Sequence, residues 1–180
     1  MLNRTDYLLK GKTEALKAIN VHNNYIHTQV IEGKNTTFIV EKPPIAIVKD
    51  SLREYGMTYK GALQAAKYKL DKKSTPPIRI WGAQDMYWFY FSSQYDIDNT
   101  FVSLAHIHEM QPFNKNMTKI ILTSGYYFNL SISCNKAKKR WDQARLLRGQ
   151  IQDSINKQSF VPLMELPGMI SEEKEEYKSE

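Results

Sequence analysis

The spacing of hydrophobic and polar positions divides the chain into segments of strand period and segments of helix period. Tyr25 to Ile31 and Thr36 to Val40 are β-rich runs separated by Glu32-Gly33-Lys34-Asn35, the pattern of a hairpin. Lys42-Pro43-Pro44 then breaks the strand pattern. Ile45, Val48, Leu52 and Tyr55 recur at helical spacing, with Pro44 suited to the first helical position and Gly56 to the left-handed residue past the end. Thr58 can cap a second helix whose inward face is Tyr59, Ala62, Leu63, Ala66 and Leu70. After Pro76-Pro77 the strand pattern returns. Ile78–Trp81 and Met86–Phe91 flank Gly-Ala-Gln-Asp, and Phe101–His108 follows a polar loop as one strand. Met117–Leu122 and Tyr126–Ser133 flank Thr-Ser-Gly as a third hairpin. A long helix from about Asn135 to Asn156 carries the stripe Ala137, Trp141, Ala144, Leu147, Ile151 and Ile155. Residues 1–23 allow two readings: Thr-Glu-Ala-Leu-Lys-Ala-Ile has good helix propensity, whereas Tyr7-Leu8-Leu9 and Gly11 suit a hairpin.

This order predicts an α+β fold, a single domain of antiparallel β hairpins with a central helix pair and a long C-terminal helix. The run MYWFYF is apolar on both faces of a strand, with Tyr87, Phe89 and Phe91 on one and Met86, Trp88 and Tyr90 on the other. That is the pattern of a buried central strand or a subunit contact rather than a base-stacking platform.

Charge is unevenly placed. The net charge is +6, but residues 171–180 hold five Glu and two Lys, so residues 1–170 carry +9. A basic body favours a polyanionic partner. One cysteine, Cys134, excludes an internal disulfide or a thiolate zinc cluster. No leader-like segment follows Met1, and the longest apolar run, Met86–Phe91, is too short to span a bilayer, so a cytosolic protein is expected.

No catalytic constellation is present. Ser92-Ser93 lacks nucleophile-elbow glycines, and there is no Gly-rich phosphate loop. His106 and His108 would share a strand face, but no third ligand lies at a recognisable spacing, so packing is the expected role and no metal or cofactor is indicated. The cations are more informative. Lys60, Gln64 and Lys67 project together from the second helix of the pair, followed by Lys69, Lys72 and Lys73. The pair has either helix-turn-helix geometry, in which Gln64 reads adenine, or that of an ordinary helix corner. The C-terminal helix carries Lys136, Lys138, Lys139, Arg140, Arg145 and Arg148 against Asp142 and Asp153. On the helical wheel Arg148 falls within the apolar stripe, where it should pair with a buried carboxylate or reach a phosphate.

Particular residues, in order, carry a family likeness. Ile47-Val48, Ser51, Arg53, Gly56, Tyr59 and Gly61 lead to Pro76-Pro77-Ile78. The likeness continues through Met86–Phe91 and Phe101-Val102-Ser103 to His106, then Ile132-Ser133, Asn135, Leu147-Arg148 and Gln152-Asp153. With Gly11 and Val30-Ile31-Glu32 it covers about residues 6–156, and it resembles the bacterial competence transcription factor (ComK) family. Tyr90-Phe91 stands where that family tends to have Pro-Thr, and Phe101 where Trp is usual, which suits a divergent paralogue.

The resemblance implies a non-enzymatic activator of DNA-uptake genes, a nucleoid-associated cytoplasmic protein. It would bind paired AT-rich boxes of double-stranded DNA largely through the minor groove, as dimers assembling into a tetramer. RNA polymerase and a proteolysis adaptor are the further partners implied, and Leu163–Pro167 only loosely resembles the adaptor-binding segment. Residues 1–160 would form the DNA-binding domain and 161–180 a flexible acidic tail. Charge and exposure, not the resemblance, select the candidate DNA contacts: Arg53, Lys60, Gln64, Lys67, Lys69, Lys72, Lys73, Lys136, Lys139, Arg140 and Arg148. The alternatives are a protein-interaction module that modulates a paralogous regulator, or a binder of RNA or membrane surfaces.

Overall fold

The computed structural model describes residues 3–21, 25–71, 75–92 and 99–158. Lys72, Lys73 and the 161–180 tail lie outside these described residues. Among the described residues there are ten strands and three α-helices, in the order β1 (Asn3–Arg4), β2 (Ala15–Val21), β3 (Tyr25–Ile31), β4 (Thr37–Val40), α1 (Pro44–Glu54), α2 (Tyr59–Leu70), β5 (Ile78–Trp81), β6 (Met86–Tyr90), β7 (Thr100–Ser103), β8 (Ile107–Asn114), β9 (Met117–Leu122), β10 (Tyr127–Leu130) and α3 (Cys134–Gln158). The fold is α+β. Seven strands form one sheet in the order β1-β4-β3-β2-β7-β6-β5, and three form a second, β10-β9-β8. All pairings are antiparallel except β1 with β4.

Burial explains why the larger sheet needs two apolar faces. On one face Leu16, Val40, Trp88 and Phe101 pack against Ile47, Val48 and Leu52 of α1 and Ala62 of α2. On the other, Ala15, Ile31, Phe89 and Val102 meet Ile107, Ile120, Leu122 and Phe128 of the small sheet and Ala137 and Ala144 of α3. The larger sheet is therefore a middle layer. Every residue of β6 is buried, as the two-sided pattern of MYWFYF requires. A third cluster joins Ala66 and Leu70 of α2 to Tyr87 of β6 and Leu147 of α3.

The segment with two readings becomes β2, paired on one side with β3 and on the other with β7. Helix propensity yields here because two neighbouring strands satisfy the backbone of a segment whose Ala15 and Leu16 are fully buried. Phe101–His108 is not one strand. β7 ends at Ser103, a 3₁₀ turn spans Leu104–His106, and β8 begins at Ile107 in the other sheet. The chain changes layers at that turn. His106 and His108 consequently do not share a strand face; His106 Nε2 lies 2.7 Å from the Gly11 carbonyl oxygen and Nδ1 3.2 Å from Thr123 Oγ1. The third hairpin is also larger than expected, because β8 completes a three-stranded meander with β9 and β10. The polar residues Glu109 and Gln111 and the imino acid Pro112 had hidden it.

Candidate nucleic-acid interface

The helix pair is fixed by its ends. Pro44 sits at the start of α1, and Gly56, at φ +74°, turns the chain after it. The Met57 N–H donates to the Leu52 carbonyl at 2.8 Å, closing the helix end. Thr58 then caps α2, its Oγ1 accepting from the Gly61 N–H at 3.1 Å. Tyr55 stacks on Trp81 with ring centroids 4.8 Å apart, and its hydroxyl donates to the Leu9 carbonyl. Ser51 is fully buried and braces the N-terminal segment, accepting from the Leu9 N–H at 2.9 Å. Much of the family-like residue set at 51–61 thus holds the corner together.

On this frame Lys60, Gln64 and Lys67 are exposed, as the helical spacing requires. Lys69 points to the opposite side of α2, where its Nζ donates to Ser154 Oγ of α3 at 2.8 Å. Arg53 is exposed on α1 and lies 3.2 Å from Asp50. Lys49, which the sequence reading passed over, joins this surface, with its Nζ 5.7 Å from the centroid of the Tyr59 ring. The surface is mixed, since Asp50 and Glu54 lie among its cations.

The long helix divides its cations three ways. Arg148 lies at the edge of the apolar stripe rather than within it, with its side chain 56% exposed. Its Nε donates to Asp85 Oδ2 at 2.6 Å, so its carboxylate partner is a surface group on the β5–β6 turn. Arg145 stacks over Trp141 at 3.7 Å and lies 3.8 Å from Asp142. Arg140 is turned inward towards Tyr90, whose hydroxyl hydrogen-bonds that of Tyr59. Burial lowers the pKa of this guanidinium, which still stays charged, and its Nη1 has no hydrogen-bond partner. On α3, Lys136, Lys138, Lys139 and, at the far end, Lys157 are exposed with no ion pair among the described residues.

Lys136, Lys138 and Lys139 cluster in the first two turns of α3, and Lys136 stands in the first. The first turn of α3 contains no acidic residue, so Lys136 there opposes the macrodipole by about 0.3–1 kcal/mol, an effect that fades beyond the first turn. A local cost with no internal compensation is what a surface built for an anion looks like. The pattern extends backwards along the chain. Residues 110–141 contain six cations, Lys115, Lys119, Lys136, Lys138, Lys139 and Arg140, and no carboxylate. Lys115 and Lys119, on the β8–β9 hairpin, were missed as site residues; the absence of Asp and Glu over that stretch is the signal that marks them.

Among the described residues the candidate cations fall into two groups by element. Lys49, Arg53, Lys60, Gln64 and Lys67 lie on α1 and α2, while Lys136, Lys138 and Lys139 lie on the start of α3. Replacing Lys60 and Lys67 together by Ala is expected to weaken duplex DNA binding about 30-fold at roughly 0.15 M salt if each neutralises one phosphate. Thermal melting should be unchanged, because both side chains are exposed. An unaltered affinity would assign DNA contact to α3 instead. Among the described residues no group of three His, Cys, Asp or Glu side chains is placed to hold a metal, and no helix is long and apolar enough to cross a membrane.

Comparison with known proteins adds to this geometry. The family model described as ComK protein matches residues 4–156. A protein named competence transcription factor, from Bacillus subtilis (strain 168), is 27% identical over 151 residues, covering 83% of this chain and 77% of that protein. No solved structure gives a significant match.

Proposed function

Starting from the fact that the chain belongs to the ComK protein family, we propose that it is a DNA-binding transcriptional activator of competence, a regulator of DNA-uptake genes. The observation that carries the DNA-binding part is the run of six cations without a carboxylate across residues 110–141, three of them, Lys136, Lys138 and Lys139, exposed in the first two turns of α3 with no ion pair among the described residues. Such a surface draws its affinity from counter-ion release at phosphates. It would act as a dimer that assembles into a tetramer on paired AT-rich boxes. Readout through the minor groove gives few base-specific hydrogen bonds, so groove width and deformability would select the site. RNA polymerase and a proteolysis adaptor are its proposed protein partners, the latter through the C-terminal tail.

Competition between an AT-rich duplex, a GC-rich duplex, structured RNA and anionic vesicles tests this reading. The AT-rich duplex should displace the others. Preferential binding to RNA or vesicles would overturn it. A second reading, a module that modulates a paralogous regulator by hetero-oligomerisation, is favoured by Tyr68 and Leu146, which are 86% and 50% exposed on α2 and α3. It is distinguished by capture of the paralogue together with a silent promoter when this protein is expressed alone.

A further inference from the structure

The β8–β9 hairpin projects beyond the core. The last inward residue of β8 is Met110 and the first fully buried one of β9 is Thr118, so residues 111–116 reach outward from the packed layers. Lys115 and Asn116 form its two-residue tip between the paired Asn114 and Met117. Pairing also joins Pro112 to Thr118, which leaves Phe113 as an extra, unpaired residue on the strand. A bulge of this kind re-aims one side chain. The side chain re-aimed here is a phenylalanine that is 59% exposed. Pro112 beside it suits an edge strand that must not pair with another chain, but that need does not account for an exposed aromatic ring.

Register places the basic start of α3 at the same end of the small sheet. Leu130 of β10 lies opposite Thr118 of β9, and the chain enters α3 four residues later. Thr118 Oγ1 donates to the Ile132 carbonyl at 2.6 Å, and Cys134 Sγ lies 3.7 Å from the Met110 carbonyl oxygen. Lys115 at the tip and Lys136 and Lys139 on the helix therefore belong to one end of the molecule. No carboxylate lies between Met110 and Trp141 in the sequence to oppose them.

We propose that the β8–β9 ribbon is a second DNA-contacting element, whose Phe113 is an apolar wedge seated against a base step while Lys115 holds an adjacent phosphate. The inference rests on the DNA-binding reading above and specifies how that contact deforms the duplex. Proteins that insert Phe or Pro into the minor groove partly unstack the step and bend the DNA, which then meets more of the protein. Bending brings the flanking phosphates towards the lysines that begin α3. One exposed ring is ordinary on any surface. A ring on a bulge, next to Pro112, at the tip of a ribbon in a segment free of carboxylates, has the placement of a wedge.

The test uses the full chain and a duplex of about 30 base pairs, AT-rich and labelled at both ends, so that energy transfer reports the bend and titration the affinity. Wild-type protein should bring the ends closer. Phe113→Ala should bind about tenfold more weakly, with the end-to-end signal returned towards that of free DNA and the salt slope unchanged. Phe113→Leu, which keeps an apolar wedge, should retain most of the bend. Lys115→Gln should keep the bend and make the log–log salt slope shallower by about 0.9. Phe113→Ala binding and bending DNA like wild type would overturn the wedge while leaving DNA binding intact. Dissociation of the free protein into smaller species by Phe113→Ala would also overturn it, since the ring would then be a contact between copies. Wild-type protein that binds no duplex overturns both the wedge and the reading on which it rests.

Discussion

Replacing Lys136, Lys138 and Lys139 together by Gln is expected to weaken binding to an AT-rich duplex by about 100-fold at roughly 0.15 M salt. Each cation that neutralises a phosphate contributes about fivefold at that ionic strength, and losing three makes the log–log salt slope shallower by about 2.7. The same variant should be as stable as wild type or slightly more so, because Lys136 stands in a first turn with no acidic residue and opposes the helix dipole. The two effects have opposite signs. A merely solvated helix face would give the second without the first, so affinity and urea unfolding measured on one preparation separate the two cases.

The largest effect on the fold is expected at Trp88. Its side chain is fully buried in the middle layer, within the cluster that holds Ile47, Val48 and Leu52 of α1 and Ala62 of α2. Trp88→Ala should cost about 3–5 kcal/mol through lost burial and the cavity left behind. Against a usual total of about 5–15 kcal/mol, that leaves a marginal domain, visible as a collapse of the urea midpoint. Trp88→Phe should be far milder, because the indole N–H is buried with no hydrogen-bond partner and its removal relieves that desolvation. If Trp88→Ala unfolds like wild type, the larger sheet is not the middle layer.

The sequence made legible what is decided locally. Pro44, Gly56 and Thr58 mark the ends of α1 and α2 because capping depends on backbone conformation within a few residues. The two-sided apolar pattern of Met86–Phe91 likewise announces a strand covered on both faces. Elements decided by distant partners were not readable. Ala15–Val21 is a strand because β3 and β7 flank it. The break at Leu104–His106 exists because the chain leaves one sheet for the other, and nothing in the local pattern of Phe101–His108 records that crossing.

The candidate interface divides in the same way. Exposure of Lys60, Gln64, Lys67, Lys136 and Lys139 follows from helical period alone. The destinations of Lys69, Arg140 and Arg148 do not, since their neighbours are Ser154, Tyr90 and Asp85 on other elements. These three cations have protein surroundings in the fold and are weaker candidates for phosphate contact than the free lysines at the start of α3. Lys49 and the ribbon residues Phe113 and Lys115 were overlooked because the positive clusters on the helices are denser. Reading where carboxylates are absent, rather than where cations are frequent, would have found Lys115.

The most direct measurement is the affinity of the full chain for an AT-rich duplex as a function of salt concentration. Binding through about six neutralised phosphates should give a linear log–log plot with a slope near −5. A flat response, or no binding to duplex at low salt, would contradict DNA recognition by this fold.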